Sequence, residues 1–369
     1  MCFKTLQDLS YNSGKLPPSL YINDVIRREE FPVGGGGFSD IWRGRSVSGE
    51  VVCLKILRTN ITPDIEKLLR RCYKEILVWR TLRHSRILKF YGVYIISWEN
   101  GVRFGLVSPW LENGCVMDYI KMHPDFDRMK AIREVVEGLQ YLHRSERFAH
   151  GDIKGDNIFV KSDLTCCLGD FGLTTSAWTP AWPTKSSSTN GFGSMRWMAP
   201  ELLSPKIFET QEGTRFDSDI YALGCTMLEI LTGQVPWSEI EIDTQVLIEV
   251  IQGRTPNVPA DISPAMSWIL KHTWKFWPKH RPDIDWLKPK LEPSFRVPAS
   301  VPAQSAISWF FQWILGVTSV TTKNSVTPVP APSSSLQSNR SSPFQWNLGV
   351  TSATAKNSAR TLWRSASKR

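Results

Sequence analysis

Residues 295–369 contain neither Asp nor Glu, while the same stretch holds eight basic residues: Arg296, Lys323, Arg340, Lys356, Arg360, Arg364, Lys368 and Arg369. The chain's formal charge of +9 is therefore local. Setting those eight aside leaves 36 basic against 35 acidic residues, a net of +1 for residues 1–294. A nearly neutral body gives no ground for a nucleic-acid partner, and the basic tail alone would attract anions only weakly. The seven cysteines, Cys2, Cys53, Cys72, Cys115, Cys166, Cys167 and Cys225, include no C-x-x-C pair. That excludes a disulfide framework or a zinc site of the usual spacing and fits a reducing compartment. Met1-Cys2-Phe3-Lys4 lacks the apolar core of a signal peptide, and no run reaches the roughly 18 apolar residues of a membrane span. The expectation is an intracellular, soluble, cytoplasmic protein, with the nucleus left open.

Hydrophobic residues at 41% with 16 Trp are ample for a large core. Residues 1–30 read as a mixed polar lead-in, with Lys15-Leu16-Pro17-Pro18 as a docking strap. Strands follow at Phe31-Pro32-Val33, Ile41–Gly44 and Val51–Leu57, the last apolar except for one Lys, as a buried strand requires. Thr62-Pro63 opens a helix whose apolar positions run through Trp79 at helical spacing. More strand is expected at Ile87–Ile96 and Phe104–Val107. After Gly114 the periodicity turns helical, at Phe126–His143, Ile220–Thr232, Thr244–Gln252 and Met266–Lys275. A strand-rich first third before a helical remainder implies an α+β fold of two lobes with a cleft between them. Beyond Pro293 the Ser/Thr/Pro/Ala-rich composition predicts disorder. Within it Phe311–Ser319 recurs as Phe344–Ser352, too few copies for a solenoid.

The chemistry concentrates in His150-Gly151-Asp152-Ile153-Lys154-Gly155-Asp156-Asn157 and Asp170-Phe171-Gly172. Phosphoryl transfer needs a carboxylate to orient the attacking hydroxyl and an ammonium to neutralise the moving phosphoryl group. It also needs an amide and a carboxylate to hold Mg²⁺. The glycine run Gly34–Gly37 lies between two strands, where backbone N–H groups can approach phosphate oxygens. Lys55, inside an apolar strand, needs a charged partner, and Glu75, 20 residues on, is the best-placed candidate.

These pieces, in this order, resemble the eukaryotic protein kinases over roughly residues 31–292. The glycine run is similar to G-x-G-x-x-G-x-V, with Gly34 and Gly36 matching its first two glycines, Ser39 standing at the third and Ile41 at the Val. Val52-Cys53-Leu54-Lys55 resembles V-A-I-K, and Leu106–Gly114 resembles the hinge. The resemblance implies a bilobal kinase fold: a small N-lobe at 31–108, a hinge at 109–114, a helical C-lobe at 115–292 and a disordered tail at 293–369. It implies ATP and Mg²⁺ as cofactors and a protein substrate. Lys55, Val33, Gly34, Gly36, Phe38, Ile41, Ser108 and Leu111 would then surround the nucleotide. Asp152 would be the base, Lys154 the γ-phosphate contact, Glu75 the partner of Lys55, and Asn157 and Asp170 the metal ligands. Ser108 falls at the gatekeeper position, and Pro109, without an N–H, shifts the adenine contact to Leu111. Asp156 matches no ligand position and is expected in solvent. Asp219 matches a structural Asp that caps the loop backbone, and Arg281 matches the Arg that pairs with Glu201.

Gly151 departs from the family by replacing the Arg of H-R-D, which weakens any switch that relies on a phosphorylated 171–201 segment. Arg196–Glu201 and Phe90-Tyr91-Gly92-Val93 resemble the tyrosine-kinase-like group, most of whose members phosphorylate Ser and Thr. Lys154 and Ser194 agree with that preference, and tyrosine activity stays open. The alternative, suggested by Ser39, Pro109 and Gly151, is a pseudokinase scaffold that binds nucleotide or partners without phosphotransfer. Nothing in the sequence sets the oligomeric state.

Overall fold

The structure is a computed structural model; it describes residues 2–23, 25–27, 31–35, 39–57, 73, 76–98, 101–170, 194–208 and 215–295. Glu75, Gly36, Phe38, the helix start at Thr62, Phe171, the polar run 184–189 and the repeated segment of the tail lie outside the described residues.

An antiparallel sheet dominates the first part. β1 (Val25–Arg27), β3 (Ser39–Ser46), β4 (Val51–Leu57), β6 (Gly101–Pro109) and β5 (Gly92–Trp98) lie in that spatial order, with the short β2 (Gly34–Gly35) paired to β3. Side chains alternate faces along a strand. Val52, Leu54 and Ile56 pack with Val25, Trp42 and Val107 in a small core on one face. Burying each such aliphatic side chain contributes about 1.5–3 kcal/mol. Cys53 and Lys55 therefore face the other way. Their cross-strand partners are Ile41 and Leu106 for Lys55, and Ser108 for Cys53. Directly opposed residues share a face, so the strand register alone gathers Ile41, Cys53, Lys55, Leu106 and Ser108 on the side that looks toward the helices.

Two differences from the sequence reading appear in the lead-in. α1 (Cys2–Ser13) precedes the strap, and the edge strand β1 comes from residues before 31. Both fall within residues 1–30, which the sequence reading took as a mixed polar lead-in. The strap itself is seated as expected. Leu16 and Leu20 are buried in the main core with Ile76, Leu77 and Trp79 of α2 (76–81), and Ile22 N–H donates to Val93 O at 2.8 Å. Gly92 permits this approach, since a Cβ there would lie 2.5 Å from Leu20 O. The strand expected at 87–96 begins only at Gly92; before it, the chain makes single backbone bonds, among them Leu88 N–H to Leu168 O at 2.7 Å.

The helical part contains α3 (Val116–Met122), α4 (Arg128–Gln140), the short α5 (Pro200–Leu203) and α6 (Pro205–Phe208), α7 (Arg215–Thr232), α8 (Asp243–Ile251), α9 (Pro264–Thr273) and α10 (Ile284–Leu287). Side-chain caps fix several starts: Asp127 accepts from Lys130 N–H, Ser263 from Met266 N–H and Asp283 from Trp286 N–H. α4 ends in a π turn, Tyr141–Ser145, a form that often marks functional sites. A hairpin of β7 (Ile158–Val160) and β8 (Cys166–Leu168) follows, absent from the sequence reading. α7 starts five residues ahead of the expected Ile220, because Ser218 and Asp219 serve buried partners rather than solvent. Among the described residues no helix is long and apolar enough to cross a membrane.

Candidate active site

The loop 150–157 runs between the π turn and β7, and its backbone is held by a buried carboxylate. Asp219 on α7, 1% exposed, accepts from His150 N–H and Gly151 N–H, each at 2.8 Å, and lies 2.8 Å from His143 Nε2 of the π turn. This is the backbone-capping role expected of Asp219. Gly151 has φ +80°, a conformation in which an L side chain is strained. A glycine suits that position, whatever it costs in lost side-chain contacts.

His150 is fully buried, and burial lowers its pKa, so the ring stays neutral. Nε2–H donates to Gly169 O at 3.0 Å, and Nδ1 accepts from Asp152 N–H at 3.3 Å. The ring thereby ties the start of the loop to the residue before Asp170.

Asp152 and Asn157 face each other across the loop. Asn157 Nδ2 donates to Asp152 O at 2.7 Å and to Asp152 Oδ2 at 2.8 Å. Lys154 Nζ lies 3.7 Å from Asp152 Oδ2 and donates to Ser194 Oγ at 3.0 Å. The hydroxyl of Ser194 is thus engaged by Lys154. Asp156 is exposed, as expected. Gly169 N–H donates to Asn157 O at 2.9 Å, which places Asp170 beside the loop.

Lys55 Nζ meets Asp170 Oδ2 at 2.7 Å, with the two side chains 20% and 29% exposed. This pair joins β4 to the end of the β7–β8 hairpin and so brings the two halves of the motif set into contact. Asp170 has φ +55°, an uncommon setting for a non-glycine residue and one that clusters at functional sites. The Cys53 thiol, beside this pair, is pushed up to about 11, chiefly by burial, and stays protonated.

Ser108 is buried opposite Cys53. Just beyond, Trp110 N–H is committed to Val51 O at 3.2 Å, while Leu111 O accepts from Gly114 N–H. Among the described residues Leu111 N–H has no partner, and neither do the N–H groups of Glu112 and Asn113. Ile41 pairs with Gly34, and Val33 N–H donates to Ile41 O at 2.9 Å, with the Val33 side chain half exposed. A Cβ at Gly34 would meet nothing within 4 Å.

The residues present fit a nucleotide with a divalent ion. With Nδ2 of Asn157 spent on Asp152, its amide oxygen and the Asp170 carboxylate are oxygen donors of the kind Mg²⁺ takes, few in number because the ion keeps waters and phosphate oxygens as well. Lys55 supplies the adjacent cation. Behind the site, Arg281 grips Glu201 with two bonds of 2.6 and 2.7 Å, both side chains fully buried, as expected for this architectural pair.

The sequence reading missed Glu229 on α7, which accepts from Gly155 N–H and from Trp197 Nε1–H. The available signal was a carboxylate inside the apolar run Met227-Leu228-Glu229-Ile230-Leu231, the same kind of anomaly that drew notice to Lys55.

A family model for protein tyrosine and serine/threonine kinases matches residues 28–291. Serine/threonine-protein kinase A-Raf of Homo sapiens is 30% identical over 294 residues, covering 76% of this chain and 45% of its own length. The A-Raf proteins of Sus scrofa and Mus musculus are 30% and 31% identical over the same shares. The chain spans less than half the length of these relatives. The family-model match shows that the chain belongs to the protein tyrosine and serine/threonine kinase family.

Proposed function

We propose that residues 31–292 form an ATP-dependent protein kinase domain, with its hinge at 109–114, that transfers the γ-phosphate of ATP to Ser and Thr hydroxyls of protein substrates in intracellular signalling. The observation that carries the reading is the 2.7 Å contact of Lys55 with Asp170, beside a loop on which Asp152, Lys154 and Asn157 already share one network.

In this reading Asp152 accepts the proton of the attacking hydroxyl and orients its oxygen. Lys154, between Asp152 and Ser194, faces the charge of the moving phosphoryl group. Lys55 holds the phosphates nearer the nucleoside, with Glu75 as its partner. Asp170 and Asn157 hold Mg²⁺, which when bound neutralises phosphate charge. Gly34, Gly36, Val33, Phe38 and Ile41 cover the nucleotide, and Ser108 and Leu111 meet its base. The relatives called serine/threonine-protein kinases support the choice of hydroxyl.

The test is phosphate transfer from radiolabelled ATP to a peptide library offering Ser, Thr or Tyr. Transfer to Ser and Thr is expected, and Asp152→Ala should lower turnover by about 10²–10⁴-fold, the worth of a positioned base. Equal labelling by Asp152→Ala would remove that role from the residue.

A further inference from the structure

The match to the kinase family begins at residue 28, yet the strap before it is built into the fold. Leu16 and Leu20 are 5% and 4% exposed and belong to the core that holds Ile76, Leu77 and Trp79 of α2. Backbone bonds fix the strap beside them. Leu20 N–H donates to Pro17 O at 3.0 Å, Tyr21 forms a bridge with Val93, and Ile22 N–H donates to Val93 O at 2.8 Å. Upstream, Gln7 of α1 lines one cavity with Val78 and Thr81 of α2. The residues before 28 therefore share both a core and a cavity with α2.

From α2 a chain of contacts runs to Asp170. Trp79, 4% exposed, donates through Nε1–H to Leu88 O at 2.8 Å. Leu88 N–H in turn donates to Leu168 O at 2.7 Å, two residues before Asp170. The joint is close-packed: a Cβ on Gly169 would lie 2.9 Å from Leu88 Cδ2. Leu88 thus bears on Trp79 through its carbonyl and on the residue beside Asp170 through its side chain. A close-packed interior transmits displacement, and the void left by a truncated side chain is filled only in part. At the end of this chain Asp170 meets Lys55 at 2.7 Å.

We propose that Leu16 and Leu20 are positioning residues for phosphoryl transfer: the strap they anchor braces α2, and through Trp79 and Leu88 it sets Asp170 against Lys55. The inference rests on the kinase reading above, and it gives residues outside the family match a part in the reaction. Its signature is a change in the demand for Mg²⁺, because the braced residue is a proposed metal ligand, while the peptide is held elsewhere.

Steady-state kinetics of the full chain with ATP and a Ser/Thr peptide, over a range of Mg²⁺ concentrations, provide the test, with thermal unfolding recorded on the same samples. The double variant Leu16→Ala/Leu20→Ala should raise the Mg²⁺ needed for half-maximal rate about 10-fold, the low end for loss of a group that orients a metal ligand. KM for the peptide should stay within about twofold. Leu16→Met/Leu20→Met nearly conserves volume and should recover most of the loss. Trp79→Phe removes the indole donor while keeping an aromatic ring, and should raise the Mg²⁺ requirement about threefold. A folded double-alanine protein with a Mg²⁺ requirement within about twofold of wild type would overturn the proposal. So would a KM for the peptide that rises in step, or a double-methionine variant as impaired as the double alanine. If the double alanine does not fold, an unchanged Mg²⁺ requirement in Trp79→Phe overturns it instead. A wild-type chain that transfers no phosphate would sink the kinase reading itself, and this inference with it; an active wild type with an indifferent strap sinks only the inference.

Discussion

Two carboxylates on α7, Asp219 and Glu229, are both buried and both serve backbone donors, yet Glu229 has fewer partners. Burial pushes its pKa from 4.5 up to about 7; the bonds from Gly155 and Trp197 pull the other way, as does the charge of Lys154, while that of Asp156 adds to the rise. The sign for stability follows from proton counts. Between about 4.5 and about 7 the folded chain holds a proton at Glu229 that the unfolded chain has released, so raising the pH through that window removes stability. Urea denaturation of wild type and Glu229→Gln from about pH 5 to about pH 8 isolates this contribution. Wild type should lose ground against the variant as pH rises to about 7, with a constant gap above it. A gap that does not change with pH would mean that the carboxylate ionises as freely as in the unfolded chain. The Arg281–Glu201 pair shows the opposite balance: two charge-assisted bonds between fully buried partners, whose breaking would leave an uncompensated charge inside the core.

At the scale of elements, the strap is the part most dependent on a single small residue. Gly92 in β5 faces Leu20 O, and a Cβ would lie 2.5 Å from that oxygen and 2.7 Å from Ile22 Cγ1. Gly92→Ala should displace residues 20–22 and cost about 1–3 kcal/mol, the usual penalty of overpacking. Denaturant unfolding measures the cost, and hydrogen exchange at the Ile22 amide reports the displacement. Unchanged stability with a protected Ile22 amide would show that the strap tolerates the intrusion. The strap was legible beforehand because Leu16 precedes two prolines in polar surroundings. α1 reads only as polar lead-in, although Phe3, Leu6 and Leu9 recur at helical spacing; in the fold Leu6 and Leu9 stay exposed, and Ser10 is its only buried residue among those whose burial is described. The same limit explains the helix ends. Apolar periodicity set α4 at Phe126, but Phe126 lies just before the Asp127 cap, and the expected end at His143 falls inside the π turn. Periodicity also placed the start of α7 at Ile220, although the helix begins in polar sequence that faces buried partners.

Across the whole molecule, the residues that converge were the ones legible from motif spacing: Lys55 in an apolar strand, the loop Asp152–Asn157, and Asp170 after a short hairpin. Spacing along the chain shows that such groups exist. Their meeting depends on the sheet register, which turns Lys55 toward the helices, and on the His150–Gly169 and Asn157–Gly169 bonds, which bring Asp170 to the loop. Glu229 escaped notice because its partners are a backbone N–H and an indole that only the fold brings near. The central claim is that Lys55, Asn157 and Asp170 form one site for a nucleotide and its divalent ion. The most direct measurement is thermal unfolding of wild type and Asp170→Ala with ATP, with and without Mg²⁺. Binding to the folded state raises stability by RT ln(1 + [L]/Kd), about 2.7 kcal/mol at a hundredfold excess over Kd. The account predicts a rise in Tm for wild type that requires Mg²⁺ and is lost in Asp170→Ala. No rise at millimolar Mg²⁺-ATP, or an equal rise in the variant, would contradict it.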